Sequence, residues 1–180
     1  MSIIKRIHHV AYRCNDAKKT ADWYKEMLDM DLTVSISEDH VPSTKEPDPY
    51  MHIFLDAGMG NVLAFFELTG QEPMDRDQNT PTWVQHIAFE VENLEVLEKA
   101  KADLIKKGIE VLGVTDHGVF KSIYFFDPNG HRLELSANNG TKKQMDKLRE
   151  IAPEMLEEWS RTKKPPRQAA WLHDEEFLKG

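Results

Sequence analysis

Apolar positions along this chain run in short alternating stretches and then shift to a helical spacing, twice and in the same order. The first stretch, roughly 6–13, alternates as a half-buried strand does. Ala17, Ala21, Tyr24 and Leu28 then share one face of a helix that Asp16 is placed to cap. Three strands are predicted after it, at about 31–36, 50–56 and 61–68. From about 83 the pattern restarts with a strand over 83–91 and a helix capped by Asn93. Leu94, Leu97, Ala100 and Leu104 form its apolar face, and Lys106-Lys107-Gly108 reads as its stop. Strands follow at about 109–114, 120–126 and 131–137, with "GMGN" and "DPNG" as the turns before the two last strands. The predicted order is βαβββ, twice.

The residues repeat as well as the pattern. "HVAYRCND" from His9 matches "HIAFEVEN" from His86 at an offset of 77, and "DLTV" from Asp31 meets "GIEV" from Gly108 at the same offset. "FEL" around Glu67 meets "LEL" around Glu134 at an offset of 67, so the first copy holds ten more residues. The polar, proline-bearing run "EDHVPSTKEPDP", 38–49, is the expected place for them and reads as a long loop. Residues 1–137 therefore form one α+β domain of two tandem βαβββ modules, 5–69 and 82–137, followed by a helical tail over 138–180.

Strand alternation sorts the polar residues. With Val10 and Tyr12 under the helix, His9, Ala11 and Arg13 face the other way. Leu133 and Leu135 go to the core, and Arg132, Glu134 and Ser136 go opposite. Asn61, Leu63, Phe65 and Glu67 share a face, as do His86, Ala88 and Glu90. The repeat predicts a His and then a Glu on the face away from each helix. A pseudo-twofold would bring His9, Glu67, His86 and Glu134 together, a donor set suited to a divalent transition metal. A lone strand histidine is ordinarily just a hydrogen-bonded side chain, and a lone glutamate is ordinarily solvated. Their recurrence at repeat-related positions is what points to a metal.

Composition narrows the partners. The 180 residues carry a formal charge of -8, which argues against nucleic acid. No stretch is long and apolar enough for a membrane span, and no signal-peptide pattern opens the chain. Cys14 is the only cysteine, so no internal disulfide forms and a reducing cytoplasm is expected. In the tail, Met145, Leu148, Met155, Leu156 and Trp159 are spaced for an amphipathic helix, with Pro153 opening its second part. "QAAWLHDEEFL", with Trp171, Leu172 and Phe177, is expected to pack on the domain, or else to serve as a lid or subunit contact. A homodimer is expected.

These residues resemble the vicinal oxygen chelate superfamily, which holds glyoxalase I, methylmalonyl-CoA epimerase, fosfomycin- and bleomycin-resistance proteins and extradiol dioxygenases. "RIHHVAYRCNDAKKTADWYKEMLDMDL" is similar to its opening strand and helix, and "DPNGHRLEL" to its closing turn and strand. The resemblance implies two βαβββ modules forming a cleft around one metal, and a small-molecule substrate with vicinal oxygens. The closing stretch is also similar to the extradiol signature, with His117, Ile123-Tyr124, the 127–130 turn and Glu134 in its fixed places. That likeness implies His9, His86 and Glu134 as a facial triad for Fe(II), with His117 and Tyr124 as catalytic residues at the catechol oxygens. Phe65, Ala88, Arg13 and Asn61 would line the substrate pocket.

A second resemblance competes. "FFELTG" around Glu67 is similar to the metal carboxylate of glyoxalase-like enzymes, which implies four ligands, His9, Glu67, His86 and Glu134, and Ni(II), Zn(II), Co(II) or Mn(II). A six-coordinate metal with three protein ligands keeps three positions, two for a catechol and one for O2. With four ligands only two remain, enough for a bidentate substrate of a lyase or isomerase. Glu67 therefore decides the chemistry. Asn61 counts against ring cleavage, because it stands where extradiol enzymes usually carry an acid-base histidine; His52 and His40 are the substitutes at hand. A third reading is a small-molecule binding protein without metal or catalysis.

Overall fold

The computed structural model describes residues 4–166 together with Asp174 and Glu176. The described chain falls into two compact units. The first runs through His86 and also takes in Phe126–Arg132; the second is made of Ile87–Phe125 and the chain from Leu133 onward.

The first unit holds β1 (Val10–Cys14), α1 (Ala17–Leu28), β2 (Leu32–His40), β3 (Pro47–Asp56) and β4 (Val62–Leu68). Asp16 caps α1 by accepting from Lys19 N, and Asp29 ends it in the left-handed region, at φ 56°. The sheet order is β1-β4-β3-β2, with β1 parallel to β4 and the other pairs antiparallel. Val10, Tyr12 and Cys14 stand beside Leu63, Phe65 and Glu67. Ile53, Leu55, Leu63 and Phe65 are buried, and Phe65 meets the buried Tyr24 of α1 at 5.2 Å between ring centroids. The core therefore lies between α1 and this face of the sheet.

The expected long loop is a hairpin. β2 runs to His40 and β3 begins at Pro47, with Val41 N donating to Glu46 O across the turn. Pro47 opens its strand, a place where a missing N–H is tolerated, and Pro49 O still accepts from Thr69 N. The ten extra residues thus lengthen a strand pair.

The second unit holds β5 (Ile87–Val91), α2 (Leu94–Lys106), β6 (Leu112–Asp116), β7 (Phe120–Phe126), β8 (Arg132–Asn138) and α3 (Lys142–Thr162), with sheet order β5-β8-β7-β6. Asn93 caps α2 by accepting from Val96 N, and Gly108 at φ 82° follows its end. Leu97, Leu104, Ile123, Phe125, Leu133 and Leu135 are among its buried apolar residues.

The helix α3 differs from expectation. It is one helix through Pro153, which lies on its exposed side. Its inward stripe is Gln144 and Ile151, both buried, with the half-buried Leu148 and Met155. Met145, Leu156 and Trp159 are exposed. Trp171, Leu172 and Phe177 lie outside the described residues. No helix among the described residues is long and apolar enough to cross a membrane.

The "DPNG" turn between β7 and β8 packs within the first unit. Asp127 is 5% exposed and accepts from Tyr24 Oη at 3.1 Å, Asn129 N at 2.9 Å and His131 N at 2.8 Å. Asn129 Nδ2 donates to Thr20 Oγ1, and the His131 ring lies 4.9 Å from Tyr12. Several donors on one carboxylate offset its removal from water. Burial first, and Asp127 second, push the Tyr24 phenol well above its ordinary pKa.

Candidate metal centre

His9 and His86 both lie just before the first strand of their module, since β1 starts at Val10 and β5 at Ile87. Both are exposed. His86 Nδ1 sits 3.0 Å from Val84 O, an acceptor, so Nδ1 donates there. A ring held in this way through Nδ1 would meet a metal through Nε2. His9 Nδ1 pairs with His8 Nδ1 at 2.8 Å, which leaves one proton between the two nitrogens.

The sheet face turned from α1 carries His9, Ala11 and Arg13 along the first chain segment, Ala64 and Phe66 on β4, and His52 and Phe54 on β3. His9 lies 6.2 Å from His52 and 5.7 Å from Phe54 between ring centroids. His52 stacks on Phe66 at 3.6 Å and touches Phe54 at 4.1 Å. It is 9% exposed, and its Nε2 is buried without a hydrogen-bond partner. Burial, with His9 adding to it, holds the His52 pKa below 6.5. Arg13 Nη2 donates to Glu72 O at 2.5 Å, and its buried Nε has no partner.

Glu67 is not on that face. It belongs with Leu63 and Phe65 on the side facing α1, and its Oε2 accepts from Ala17 N at 2.6 Å. A carboxylate there satisfies an open N–H of the first helical turn and meets the positive end of the helix dipole. Phe65, expected in the substrate pocket, is fully buried under α1 for the same reason of parity; Phe66 takes the outward place. Asn61 is exposed and donates from Nδ2 to Gly58 O, closing the turn before β4.

In the second unit Glu134 stands opposite Ala88 in the β5–β8 ladder, away from the buried Leu133 and Leu135. It is 3% exposed, and its Oε1 accepts from Ser136 Oγ at 2.7 Å. Ser136 Oγ is also 2.9 Å from the fully buried Ser122 Oγ. His117 Nε2 and Tyr124 Oη are 2.8 Å apart, and Tyr124 shares strand parity with Ser122. The structure thus brings His117 and Tyr124 together.

The ladders also correct the repeat alignment. Ala11 and Ala88 each follow their histidine by two residues. Ala11 pairs with Ala64, whereas Ala88 pairs with Glu134. The counterpart of Glu134 is therefore Ala64, three residues before Glu67. The donor types left on the repeat-related faces are two imidazoles and one carboxylate, which fits a transition metal with open positions. Among the described residues no three His, Cys, Asp or Glu side chains gather closely enough to hold a metal ion. The fit rests on donor chemistry, two imidazoles and one buried carboxylate.

Residues 6–135 match the model of the Glyoxalase/Bleomycin resistance protein/Dioxygenase superfamily. The chain belongs to this superfamily. One relative is the putative ring-cleaving dioxygenase MhqA of Bacillus subtilis, 29% identical over 143 residues, which are 77% of this chain and 42% of the relative. The chain therefore spans less than half of that protein. Another is the metallothiol transferase FosB of Shouchella clausii, 32% identical over 126 residues, 59% of this chain and 80% of the relative. Among solved structures, a glyoxalase family protein from Enterococcus faecalis is 30% identical, with a TM-score of 0.55 over 75% of this chain and 99% of that one. In this superfamily the tandem βαβββ modules seen here are the common frame, and the site residues set the chemistry.

Some of the site was missed in the sequence. Phe66, Ser122 and the Ser136–Glu134 bond were not foreseen. Ser122 carried a signal, since a hydroxyl inside the apolar run "SIYFF" needs a partner.

Proposed function

We propose that this chain is a metal-dependent enzyme that opens a catechol-type aromatic ring with O2, with His9, His86 and Glu134 as ligands to Fe(II). The observation that carries the reading is the His117–Tyr124 hydrogen bond, on a unit whose Glu134 has no counterpart carboxylate at Ala64. Three ligands leave room for two substrate oxygens and O2, and the capping role of Glu67 speaks against the four-ligand glyoxalase-like alternative.

His9, His86 and Glu134 would hold the metal, which would supply a positive charge that lowers the pKa of the catechol hydroxyls. The chain's residues do the rest. His117 and Tyr124, 2.8 Å apart, would together stabilise a substrate oxygen on which charge develops. His52, Phe54 and Phe66 form an aromatic wall beside His9, suited to a flat ring. Ala88 leaves space opposite Glu134, and Arg13 offers a cation to an anionic substituent.

A second reading, a metal-dependent thiol transferase, is favoured by coverage, since the chain spans 80% of the FosB relative. One experiment separates them. Iron-loaded protein is given a panel of catechols under O2 uptake, and in parallel a thiol with small electrophiles. Uptake with a ring-opened, strongly absorbing product supports the first reading. Thiol consumption without uptake supports the second and ends the first.

A further inference from the structure

We infer that Ser122 and Ser136 form a two-hydroxyl relay whose function is to aim Glu134 at a metal ion, which makes both positioning residues of the proposed site. The inference rests on the reading of Glu134 as a ligand. It starts from proton counting. Ser136 Oγ lies 2.7 Å from Glu134 Oε1, and a carboxylate accepts only, so Ser136 spends its single hydroxyl proton there. The 2.9 Å contact between Ser136 and Ser122 must then be donated by Ser122. The chain has one direction, Ser122 to Ser136 to Glu134.

The surroundings give the relay its purpose. Ser122 is fully buried on β7, on the strand face opposite Lys121 and Ile123, where an unpaired hydroxyl would be costly. Ser136 sits two residues after Glu134 on the same strand face, so the bond crosses one pleat of β8 and needs no loop to hold it. Glu134 itself is buried, flanked by Leu133 and Leu135 on the other face. A long carboxylate side chain at such a place has three rotatable bonds to settle. The Ser136 bond holds the carboxylate plane and favours one rotamer of the side chain. Hydrogen-bonded second partners of this kind typically change metal affinity by about 10–100-fold.

Cobalt(II) is the probe, because its visible bands report ligand geometry as well as binding. Wild-type protein, Ser136→Ala, Ser136→Thr, Ser122→Ala and Glu134→Gln are titrated against a competing chelator. Ser136→Ala is expected to bind about 10–100-fold more weakly with altered bands. Ser136→Thr, which keeps the hydroxyl and suits a strand, is expected to restore both. Ser122→Ala is expected to fall between wild type and Ser136→Ala. The inference is overturned if Ser136→Ala matches wild type in affinity and spectrum while Glu134→Gln loses the ion. If Ser136→Ala does not fold, Ser122→Ala with wild-type affinity and bands overturns it equally. Glu134→Gln binding as wild type does is a separate failure, that of the ligand reading itself.

Discussion

The two modules end on nearly the same letters, "FEL" around Glu67 and "LEL" around Glu134, and use the glutamate in opposite ways. Glu67 points to the helix side and holds the first turn of α1. Glu134 points to the other side, opposite Ala88, and is held by Ser136. A strand has a period of two, so the odd offset of three residues between Ala64 and Glu67 turns the carboxylate to the other face. The repeat alone cannot tell these apart. The pairing partner across the ladder can.

The largest effect that sharpens this comparison comes from the two phenylalanines beside Glu67. Phe65→Ala should cost about 3–5 kcal/mol in chemical denaturation, since the ring is fully buried against Tyr24. Phe66→Ala, on the opposite face, should cost clearly less and act instead on ligand binding. Equal losses would mean that the face assignment of β4 is wrong.

Tyr24→Phe comes next. It removes one donor from the buried Asp127 while keeping the ring, and about 1.5–3 kcal/mol should be lost. A loss below about 0.5 kcal/mol would show that the "DPNG" turn does not depend on α1.

Glu67→Gln should be milder still. The amide oxygen can still accept from Ala17 N, so only the charge at the helix end is lost, about 0.3–1 kcal/mol. High salt should shrink that difference.

The smallest effect concerns Cys14, at the end of β1 next to Glu67 in the ladder. Burial pushes its thiol from 9.0 up to about 11, with the charge of Glu67 also raising it. The unfolded chain ionises first, so the stability this thiol contributes is whole below pH 9 and is lost as pH rises toward 11. Cys14→Ala should therefore flatten the decline in stability over that window. An unchanged slope would contradict it.

Much of the frame was legible in the residues. Both N-caps, Asp16 and Asn93, and both amphipathic helices follow from short-range spacing, and so do the turns. Glu134 was also legible, because Leu133 and Leu135 mark the core side and Ser136 the other. Glu67 was not. Both faces of β4 are apolar, with Leu63 and Phe65 on one and Ala64 and Phe66 on the other, so alternation carries no parity there. The hairpin of β2 and β3 was hidden by its prolines, which break a helix but not the first residue of a strand. In α3 the buried Gln144 belongs to a capping box with Thr141, so the inward stripe begins with a polar residue that hydrophobic spacing passes over.

The central claim is that the two glutamates differ in kind. Its most direct test is a metal titration of Glu134→Gln and Glu67→Gln side by side, with competing chelator and with thermal unfolding of each apoprotein. The account predicts that Glu134→Gln loses about 100-fold or more in metal affinity, while Glu67→Gln stays within about threefold of wild type and only unfolds earlier. A Glu67→Gln protein that loses metal as severely as Glu134→Gln would contradict it.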